Sequence, residues 1–432
     1  MDSDHKPLSI YQIFVRNYGP CGTLNEVRSD LKRIRDLGFN CIYLLPVHPV
    51  GISGRKGTLG SPYAVRDYYA VDPVLGTMSD FTELVREAHR LDMRVIMDMV
   101  FHHTARDHEW VSQHPEYYVR DEEGNFRIAV EDWSDIYDLD FGSLQLQGKL
   151  ITILQFWARK NVDGFRFDVA SMIPMSFWRK ARKETEAVRK NLIWLGESVD
   201  ASMVRNLRRA KVPVCSDSEL AEVFDHLYPY DVFDLFCDAV RNKNLVPYGQ
   251  TLEYSFSVFP QNLKRVMCLE NHDRKRISSL LGQRTGRIIN WTAFSFLCPG
   301  TAFMYNGQET MDVRTPDLFE HNPVDFRKQD EDFAGLIRRL NEIRNLTQAG
   351  ILSADFPENS DVLEINEYCT GGNLYGCFNV NGLRGKIRIN LRDGRYRNLI
   401  DDKLVTVKDG TIDADACPVY IRTEEDVYDT GI

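Results

Sequence analysis

The chain has 432 residues, of which 43% are hydrophobic and 27% charged, and its formal net charge at pH 7 is −10. This length and composition suit one large folded domain with a small second one, and they argue against a disordered protein. The acidic balance leaves no basic surface of the kind on which nucleic-acid and anionic-membrane binding depend. We therefore expect a neutral or cationic substrate, no nucleic-acid partner and no membrane contact.

The amino-terminal segment MDSDHKPLSIYQIFV passes from a polar leader into a strand-like stretch, without the basic region, apolar core and cleavage site of a signal peptide. No apolar run approaches the ~20 residues needed to span a bilayer. The nine cysteines are an odd number without paired CxxC spacing, which indicates reduced thiols rather than a disulfide framework or a zinc site. Together these features predict a cytoplasmic protein.

Short apolar runs alternate with amphipathic helical stretches, the pattern of repeated β/α units around a parallel sheet. In one helical stretch Leu31, Ile34 and Leu37 have the spacing of a helix face packed on a sheet. The sixth strand is the least apolar, and its neighbours Asp225 and Tyr228 fit a loop equally well. Eight units favour a closed (β/α)8 TIM barrel over an open sheet. The candidate strands begin near Ser9, Asn40, Arg94, Asp163, Leu192, Glu222, Arg265 and Thr301.

Two segments depart from the β/α alternation. The interval between the third and fourth strands is long, polar and rich in aromatic residues, which predicts an inserted subdomain at residues 104–144. After the helical segment FAGLIRRLNEIRNLTQAG, short alternating runs such as GKIRINL and PVYIRT are separated by turn residues. They predict an all-β, sandwich-like carboxy-terminal domain at residues 350–432. The barrel is then formed by residues 1–103 and 145–349.

In a parallel barrel the reactive groups lie at the carboxyl ends of the strands. Four predicted strands end in ionisable residues, and carboxylates dominate among them. Strand three ends at Asp98, with His102 and His103 beyond it; strand four ends at Arg166 and Asp168; strand five ends at Glu197; strand seven ends at Glu270, Asn271, His272 and Asp273. The pattern predicts a carboxylate-rich site at one mouth of the barrel.

An Asp and a Glu on adjacent strands suit a retaining glycosidase, in which two carboxyl groups ~5 Å apart act as nucleophile and as acid/base. Arg166 lies on the same face of its strand as Asp168, so we expect it to keep that carboxylate ionised at neutral pH. This makes Asp168 the better nucleophile and Glu197 the better acid. Asp273 fits a third carboxylate that favours positive charge in the transition state, with His103 and His272 as donors to sugar hydroxyls.

The segments DMVFHHT, GFRFDVA, WLGES and ENHD resemble, in order, the four short conserved regions of the α-amylase family, glycoside hydrolase family 13. LGSPYAVRDYYAVDPVLGT and PGTAFMYNGQE resemble that family's segments before strand three and at strand eight. The resemblance implies that Asp168 is the nucleophile, Glu197 the acid/base and Asp273 the transition-state stabiliser. It also implies a set of groups around the reacting sugar, namely Tyr63, His103, Arg166 and His272. Asp98 fits either a substrate contact or a structural partner of Arg166.

By this resemblance the chain is a retaining hydrolase that cleaves α-1,4-glucosidic bonds of starch-derived glucans or malto-oligosaccharides by double displacement. A 4-α-glucanotransferase or an α-glucosidase on the same barrel stays open, because acceptor choice depends on subsite shape. A metal-dependent hydrolase built on His102, His103 and His108 is disfavoured, since the cluster lacks the helical HExxH arrangement. A non-catalytic amylase-like scaffold subunit would be expected to have lost the carboxylates that this chain retains.

The resemblance breaks down at the family's calcium sites. His102 stands where calcium-binding members commonly have Asn, and Ser171 and Met172 stand where many α-amylases carry Lys and His. The calcium loop after strand one is replaced by YGPCGTLNEV, which offers few charged ligands. We therefore expect no required metal or other cofactor. In the insert, Trp110 and Trp133 fit stacking on glucose rings and filling of the subdomain core equally well.

Overall fold

The computed structural model describes residues 7–128, 130, 132–282 and 285–423. The described helices α1 to α12 are Leu24–Asp36, Met78–Arg90, Glu109–Gln113, Leu144–Arg159, Met175–Glu186, Ala201–Arg209, Asp217–Leu220, Phe233–Asn242, Leu245–Val258, Ile277–Leu280, Thr285–Leu297 and Glu331–Thr347. The described strands β1 to β18 are Ser9–Ile13, Cys41–Leu44, Arg94–Met99, His103–Ala105, Ile136–Asp138, Gly164–Phe167, Ile193–Gly196, His226–Leu227, Lys264–Met267, Thr301–Tyr305, Ile351–Asp355, Leu363–Cys369, Leu374–Phe378, Lys386–Arg388, Gly394–Arg397, Leu404–Val407, Thr411–Asp413 and Val419–Arg422. Among these helices there is none with the length and apolar character to cross a membrane.

Eight parallel strands close into a barrel in the order β1, β10, β9, β8, β7, β6, β3, β2. Asp98 on β3 lies beside Arg166 on β6, and Arg166 lies beside Leu195 on β7. Each strand is short and nearly all of it is buried, as expected for a sheet covered by helices on its outer face. The predicted (β/α)8 barrel is confirmed, and seven of its eight strands begin within one residue of the predicted positions.

The sixth barrel strand, β8, contains only two residues. Asp225, just before it, accepts hydrogen bonds from the backbone N–H of Trp194 at 2.9 Å and from Arg182 Nη2 at 2.9 Å. Tyr228, just after it, is fully buried. The strand therefore exists, and it begins four residues later than predicted because the backbone N–H groups of Glu222, Val223 and Phe224 donate within the turn that follows α7.

The outer helices are positioned by capped amino termini and by apolar stripes. Thr23 caps α1 by accepting from the N–H of Glu26, and Thr77 and Asp80 form a reciprocal capping box on α2. Leu31 and Ile34 of α1 are completely buried, as is nearly all of Leu37, the residue that ends the helix. Burying one such side chain contributes roughly 1.5–3 kcal/mol to folding, so these stripes hold the helices against the barrel.

Two smaller units flank the barrel. Between β3 and α4, β4 pairs antiparallel with β5, and the short helix α3 lies between them in sequence. After α12, the chain forms the sheet β11-β12-β13-β18 and two two-stranded sheets, β14-β17 and β15-β16. The carboxy-terminal part is thus all-β, as predicted, and the change from helix to strand falls between Thr347 and Ile351. All nine cysteines of the chain are free thiols.

Candidate active site

A cavity of about 480 Å³ opens at the carboxyl ends of the barrel strands. Its wall includes five of the residues predicted from the sequence, which are Tyr63, His103, Asp168, Glu197 and Asp273. The other three, Asp98, Arg166 and His272, are buried and bonded directly to members of that group. The structure thus brings all eight predicted site residues into one cluster.

Arg166 is the centre of this cluster and is completely buried. Its Nη1 donates to both oxygens of Asp98, at 2.9 and 3.0 Å, and to Oδ1 of Asp168 at 3.0 Å. Its Nη2 lies 2.8 Å from Oε1 of Glu197. Tyr43 and Tyr63 donate from their hydroxyls to Asp98 Oδ2, at 2.5 and 3.0 Å. One guanidinium therefore serves three carboxylates, and Asp98 lies behind it as an anchor.

The pKa of Asp168 depends on how Arg166 is shared among the three carboxylates. Burial raises the pKa of Asp168 well above its ordinary value, Arg166 lowers it in part, and the charges of Glu197 and Asp98 raise it again. One positive charge is divided among three carboxylates, so burial and the neighbouring carboxylates oppose the effect of Arg166 on the pKa of Asp168, and the ionisation of this carboxylate at neutral pH stays a prediction.

The turn after Asp168 is strained. Val169 has φ 38° and ψ 45°, a left-handed conformation that β-branched residues rarely adopt. Such a conformation costs on the order of 1–3 kcal/mol and persists only where the surrounding structure enforces it. Here the N–H of Val169 donates to Oε2 of Glu197 at 3.0 Å. The strained turn thus links the backbone beside Asp168 to the neighbouring carboxylate.

His272 connects the floor of the cavity to Tyr63 and Asp273. Gln12 Nε2 lies 3.0 Å from Nδ1 of His272, and donation from this amide leaves the ring proton on Nε2. That Nε2 lies 2.5 Å from the Tyr63 hydroxyl and 3.0 Å from Oδ2 of Asp273. Burial alone would raise the pKa of Asp273, but His272, with Arg166 and Arg274, lowers it to about 2. Asp273 is therefore ionised at neutral pH.

The two histidines after β3 are neutral at pH 7. Burial lowers the pKa of His102 to about 4, and burial together with His102 lowers the pKa of His103 well below its ordinary value. The His103 ring lies 5.5 Å from that of Trp133, which lines the cavity. Trp110, in contrast, is 96% buried and packs on Tyr117 within the insert. Of the two alternatives left open by the sequence, the position of Trp133 fits stacking on a glucose ring, and that of Trp110 fits filling of the subdomain core.

The side chains present do not fit the usual calcium site. Calcium takes six to eight oxygen ligands, whereas His102 offers nitrogen and its Nδ1 lies 3.2 Å from Nδ1 of His103. His108 is not part of that pair, because its Nδ1 accepts from the N–H of Trp110 at 3.1 Å. Across the described ranges, no three His, Cys, Asp or Glu side chains are grouped so that they could hold a metal ion.

Several residues of the cavity wall had not been predicted. They are Lys56, Ser61, Asp135, Ile136, Val169, Ser198, Val199, Asp200, Ser202, Met203, Tyr230, Phe233, Asp234, Arg274, Leu318 and Phe319. Arg274 directly follows Asp273 and could have been found from its position, and its guanidinium lies 3.9 Å from the centroid of the Phe233 ring. Most of the others lie on loops, where no periodicity or strand end indicates which side chains face the cavity.

Comparison with known proteins agrees with this arrangement. Residues 1–127 and 119–367 match the model of the α-amylase catalytic domain, and residues 358–421 match that of the bacterial α-amylase carboxy-terminal domain. The crystal structure of an α-amylase from Lactobacillus plantarum is 35% identical and superposes with a TM-score of 0.91, covering 98% of this chain and 100% of that one.

More distant relatives extend the comparison. α-Amylase 3 of Dictyoglomus thermophilum is 25% identical over 358 residues, which are 74% of this chain and 67% of that protein. The α-1,4-glucan:maltose-1-phosphate maltosyltransferase of Arcanobacterium haemolyticum is 30% identical over 220 residues. This match covers 44% of this chain and 32% of that protein. The family model covers most of the chain, and the motifs and the barrel agree with it. The chain therefore belongs to the α-amylase family of enzymes, and the resemblance drawn from its motifs is confirmed.

Proposed function

We propose that this protein is a retaining glycoside hydrolase that cleaves α-1,4-glucosidic bonds of malto-oligosaccharides by double displacement. The observation that carries the proposal is the binding of Asp168 and Glu197, on adjacent strands, to the two terminal nitrogens of one buried arginine. A single guanidinium holds the two carboxyl groups close together, as retention requires, whereas inverting enzymes separate theirs to admit a water molecule. Family membership supplies the substrate class.

In the first step Asp168 attacks the anomeric carbon of the bound sugar while Glu197 gives its proton to the glycosidic oxygen. The bond from that carbon to the leaving sugar breaks, and a β-linked glycosyl ester of Asp168 forms. In the second step Glu197 takes a proton from water, whose oxygen attacks the same carbon and releases Asp168. Two inversions return the α configuration, and Glu197 ends protonated as it began, with a proton taken from water in place of the one carried away by the leaving sugar.

The electrostatics of the cluster suit this sequence. In the first step Glu197 acts as the acid and Asp168 as the nucleophile, and the guanidinium of Arg166 beside Asp168 favours the ionised form of that nucleophile. Asp273, with a pKa of about 2, supplies fixed negative charge beside a cationic transition state. Tyr63 offers a ring to stack on the sugar, and His103 offers a ring nitrogen at the cavity wall to its hydroxyls. His272 holds Tyr63 and Asp273 in place from behind the wall.

The test is the anomeric form of the first product. Wild-type protein and Asp168→Asn are incubated with maltoheptaose and EDTA, and the new reducing ends are followed by proton NMR before they mutarotate. We expect the α anomer from the wild type and at least a thousandfold lower rate from the variant, because the nucleophile is lost. A β anomer first, or equal rates from both proteins, would contradict the proposal.

Glucanotransfer is the second candidate, and the match to α-1,4-glucan:maltose-1-phosphate maltosyltransferase favours it. In that reaction a sugar hydroxyl replaces water in the second step. Chromatography of the same maltoheptaose digest separates the two candidates, because hydrolysis gives only products shorter than the substrate and transfer also gives longer ones.

We further propose that the enzyme needs no metal and works in the cytoplasm. The nitrogen donors at His102 argue against a calcium site, and nine free thiols suit a reducing compartment. Activity that survives EDTA and recovery of the protein in the cytoplasmic fraction of its cell are the expected results. Loss of activity that calcium restores would contradict the first proposal.

A further inference from the structure

One side of the active-site cavity is closed by a loop at residues 50–61, which we call the rim loop. Its N–H groups at Leu59 and Thr58 donate to Phe319 O at 2.9 Å and to Glu320 Oε1 at 2.7 Å. Arg16, nearly buried, donates from Nη1 to Gly60 O at 2.8 Å and to the carbonyl of Leu318 at 3.0 Å. The rim loop is thus attached to the segment that follows β10.

The rim loop is also attached to the inserted subdomain. The N–H of Ile52 donates to Oδ2 of Asp107 at 3.0 Å. Lys56 donates from Nζ to the carbonyl of Asp132, and the same nitrogen lies 3.7 Å from Oδ1 of Asp135. Bonds on both sides leave the rim loop little freedom, so we expect it to form a fixed wall.

The inner side of this wall carries polar groups that face the cavity. Lys56 and Asp135 both line it, together with Leu318 and Phe319. The Asp135 side chain is only 6% exposed, and its Oδ2 has no hydrogen-bond partner among the described residues. A buried carboxylate oxygen is expensive to leave unpaired. Sugar hydroxyls are the donors that the proposed substrate would bring to it.

The opposite side of the cavity is open. There the lining residues Asp200, Ser202 and Asp234 are exposed to solvent. They lie on the segments that follow β7 and β8, directly beyond Glu197. Because Glu197 protonates the glycosidic oxygen, the leaving part of the substrate extends towards this open side. The sugar that becomes bound to Asp168 then extends the other way, towards the rim loop.

We propose that the closed side is a pocket for the non-reducing end of the chain, and that the enzyme is exo-acting on malto-oligosaccharides. This inference rests on the proposed function. In an α-1,4-glucan the sugars on the retained side of the cleaved bond lead to the non-reducing end, and a fixed wall there lets no further glucose pass. Lys56 and Asp135 bind the hydroxyls of the terminal sugar and so determine specificity for chain ends.

The test uses 4-nitrophenyl α-maltoheptaoside with and without a 4,6-O-ethylidene group on its non-reducing glucose, with products separated by chromatography. We expect the free substrate to lose one short fragment of fixed length from its non-reducing end, and the blocked substrate to react at least a hundredfold more slowly. Similar rates on both would show internal cleavage and overturn the inference while the proposed function stands. No cleavage of either would contradict the proposed function itself, and the exo inference with it.

Two variants test the named residues. Lys56→Ala and Asp135→Asn each remove a charge-assisted contact, so we expect about a tenfold higher KM for the free substrate with kcat nearly unchanged. Lys56→Ala should also cleave the blocked substrate faster than the wild type does. The difference in rate between the free and the blocked substrate should therefore fall below a hundredfold in this variant. Lys386→Ala removes an exposed Lys386–Asp413 pair of 3.0 Å in the carboxy-terminal domain and serves as the matched control. Unchanged KM in both cavity variants, with normal thermal unfolding, would overturn their assignment.

Discussion

Asp98 shows how a residue can matter to a reaction from behind the reacting groups. It is completely buried and accepts from Arg166, Tyr43 and Tyr63, so it fixes both the guanidinium and a ring that faces the sugar. The sequence left a substrate contact and a structural role open for it. The geometry favours a positioning role, because Arg166 lies between Asp98 and the two carboxylates it serves.

Asp98→Asn should therefore damage stability and turnover together. Removing one partner of a buried ion pair costs about 3–5 kcal/mol, and a loosened Arg166 would lower kcat at least tenfold with little change in KM. Urea unfolding and steady-state kinetics measure the two effects. Tyr43→Phe is the milder control, since it removes one hydrogen bond to Asp98 and leaves the charges in place. A large rise in KM at normal stability would instead indicate direct substrate contact.

The residues at strand ends could be predicted from sequence, and those on loops could not. Asp168 and Glu197 directly follow β6 and β7, and Asp273 lies on the segment that follows β9. The barrel fixes the direction of these strands, so the convergence of the three carboxylates follows from topology. Lys56 and Asp135 meet only because the rim loop packs on the inserted subdomain, which no local pattern encodes. The raised pKa of Asp168 could not be predicted for the same reason, since the sequence does not show that Arg166 is shared among three carboxylates.

At the scale of elements, local propensity and burial agree for most of the barrel. Seven strands carry the apolar runs that identify a buried parallel sheet, and α1 and α2 carry capping residues at their amino termini. The sixth strand was weak because its two residues are too few to show a period. The chain leaves the barrel directly after this short strand, and Tyr230 and Phe233, which follow it, line the cavity wall.

The turn that follows β6 gives a prediction at this scale. Val169→Gly relieves a positive φ of 38°, but it also frees the unfolded chain, so we expect stability to change by no more than about 1 kcal/mol. The backbone N–H that donates to Glu197 loses its fixed direction, and kcat should fall several-fold. Thermal unfolding and kcat measure these effects, with Val169→Ala, which keeps a Cβ, as the control. A glycine variant with unchanged kcat would show that the strain does not serve catalysis.

For the whole molecule, acid should be destabilising through buried histidines. Burial lowers the pKa of His48, His102, His108 and His226 to about 4. In the unfolded chain the pKa of histidine is near 6.5, so between pH 6.5 and 4 the unfolded chain binds protons that the folded protein does not bind. The stability that these histidines contribute is therefore present above pH 6.5 and is lost as pH falls towards 4. Each histidine contributes up to about 3 kcal/mol to this loss. Urea unfolding at pH 7 and at pH 5 measures this loss of stability. In His226→Gln the free energy of unfolding should fall less between pH 7 and pH 5 than it does in the wild type. An equal fall in both proteins would contradict the assignment to His226.

The contact between the barrel and the carboxy-terminal domain predicts the opposite slope. Glu367 on β12 is completely buried and accepts from Tyr420, and burial raises its pKa to about 8. A raised pKa means that the stability it contributes is complete below the unfolded value near 4.5 and is lost as pH rises through 8. Arg344 of α12 is buried nearby, but its guanidinium donates to the backbone carbonyls of Phe296 and Gly300. It therefore does not depend on Glu367 as its acceptor.

Glu367→Gln keeps the shape of the side chain and its bond to Tyr420 but cannot ionise. We expect thermal unfolding of the variant to match the wild type at pH 5 and to occur at a higher temperature at pH 9, where the wild type must bury a charge. Asp355→Asn, on the edge strand β11 of the same sheet, is a control that should shift neither value. A lower unfolding temperature for Glu367→Gln than for the wild type at both pH values would contradict this prediction. It would show that the carboxylate is ionised in the folded protein and stabilises Arg344 as an ion pair across the domain contact.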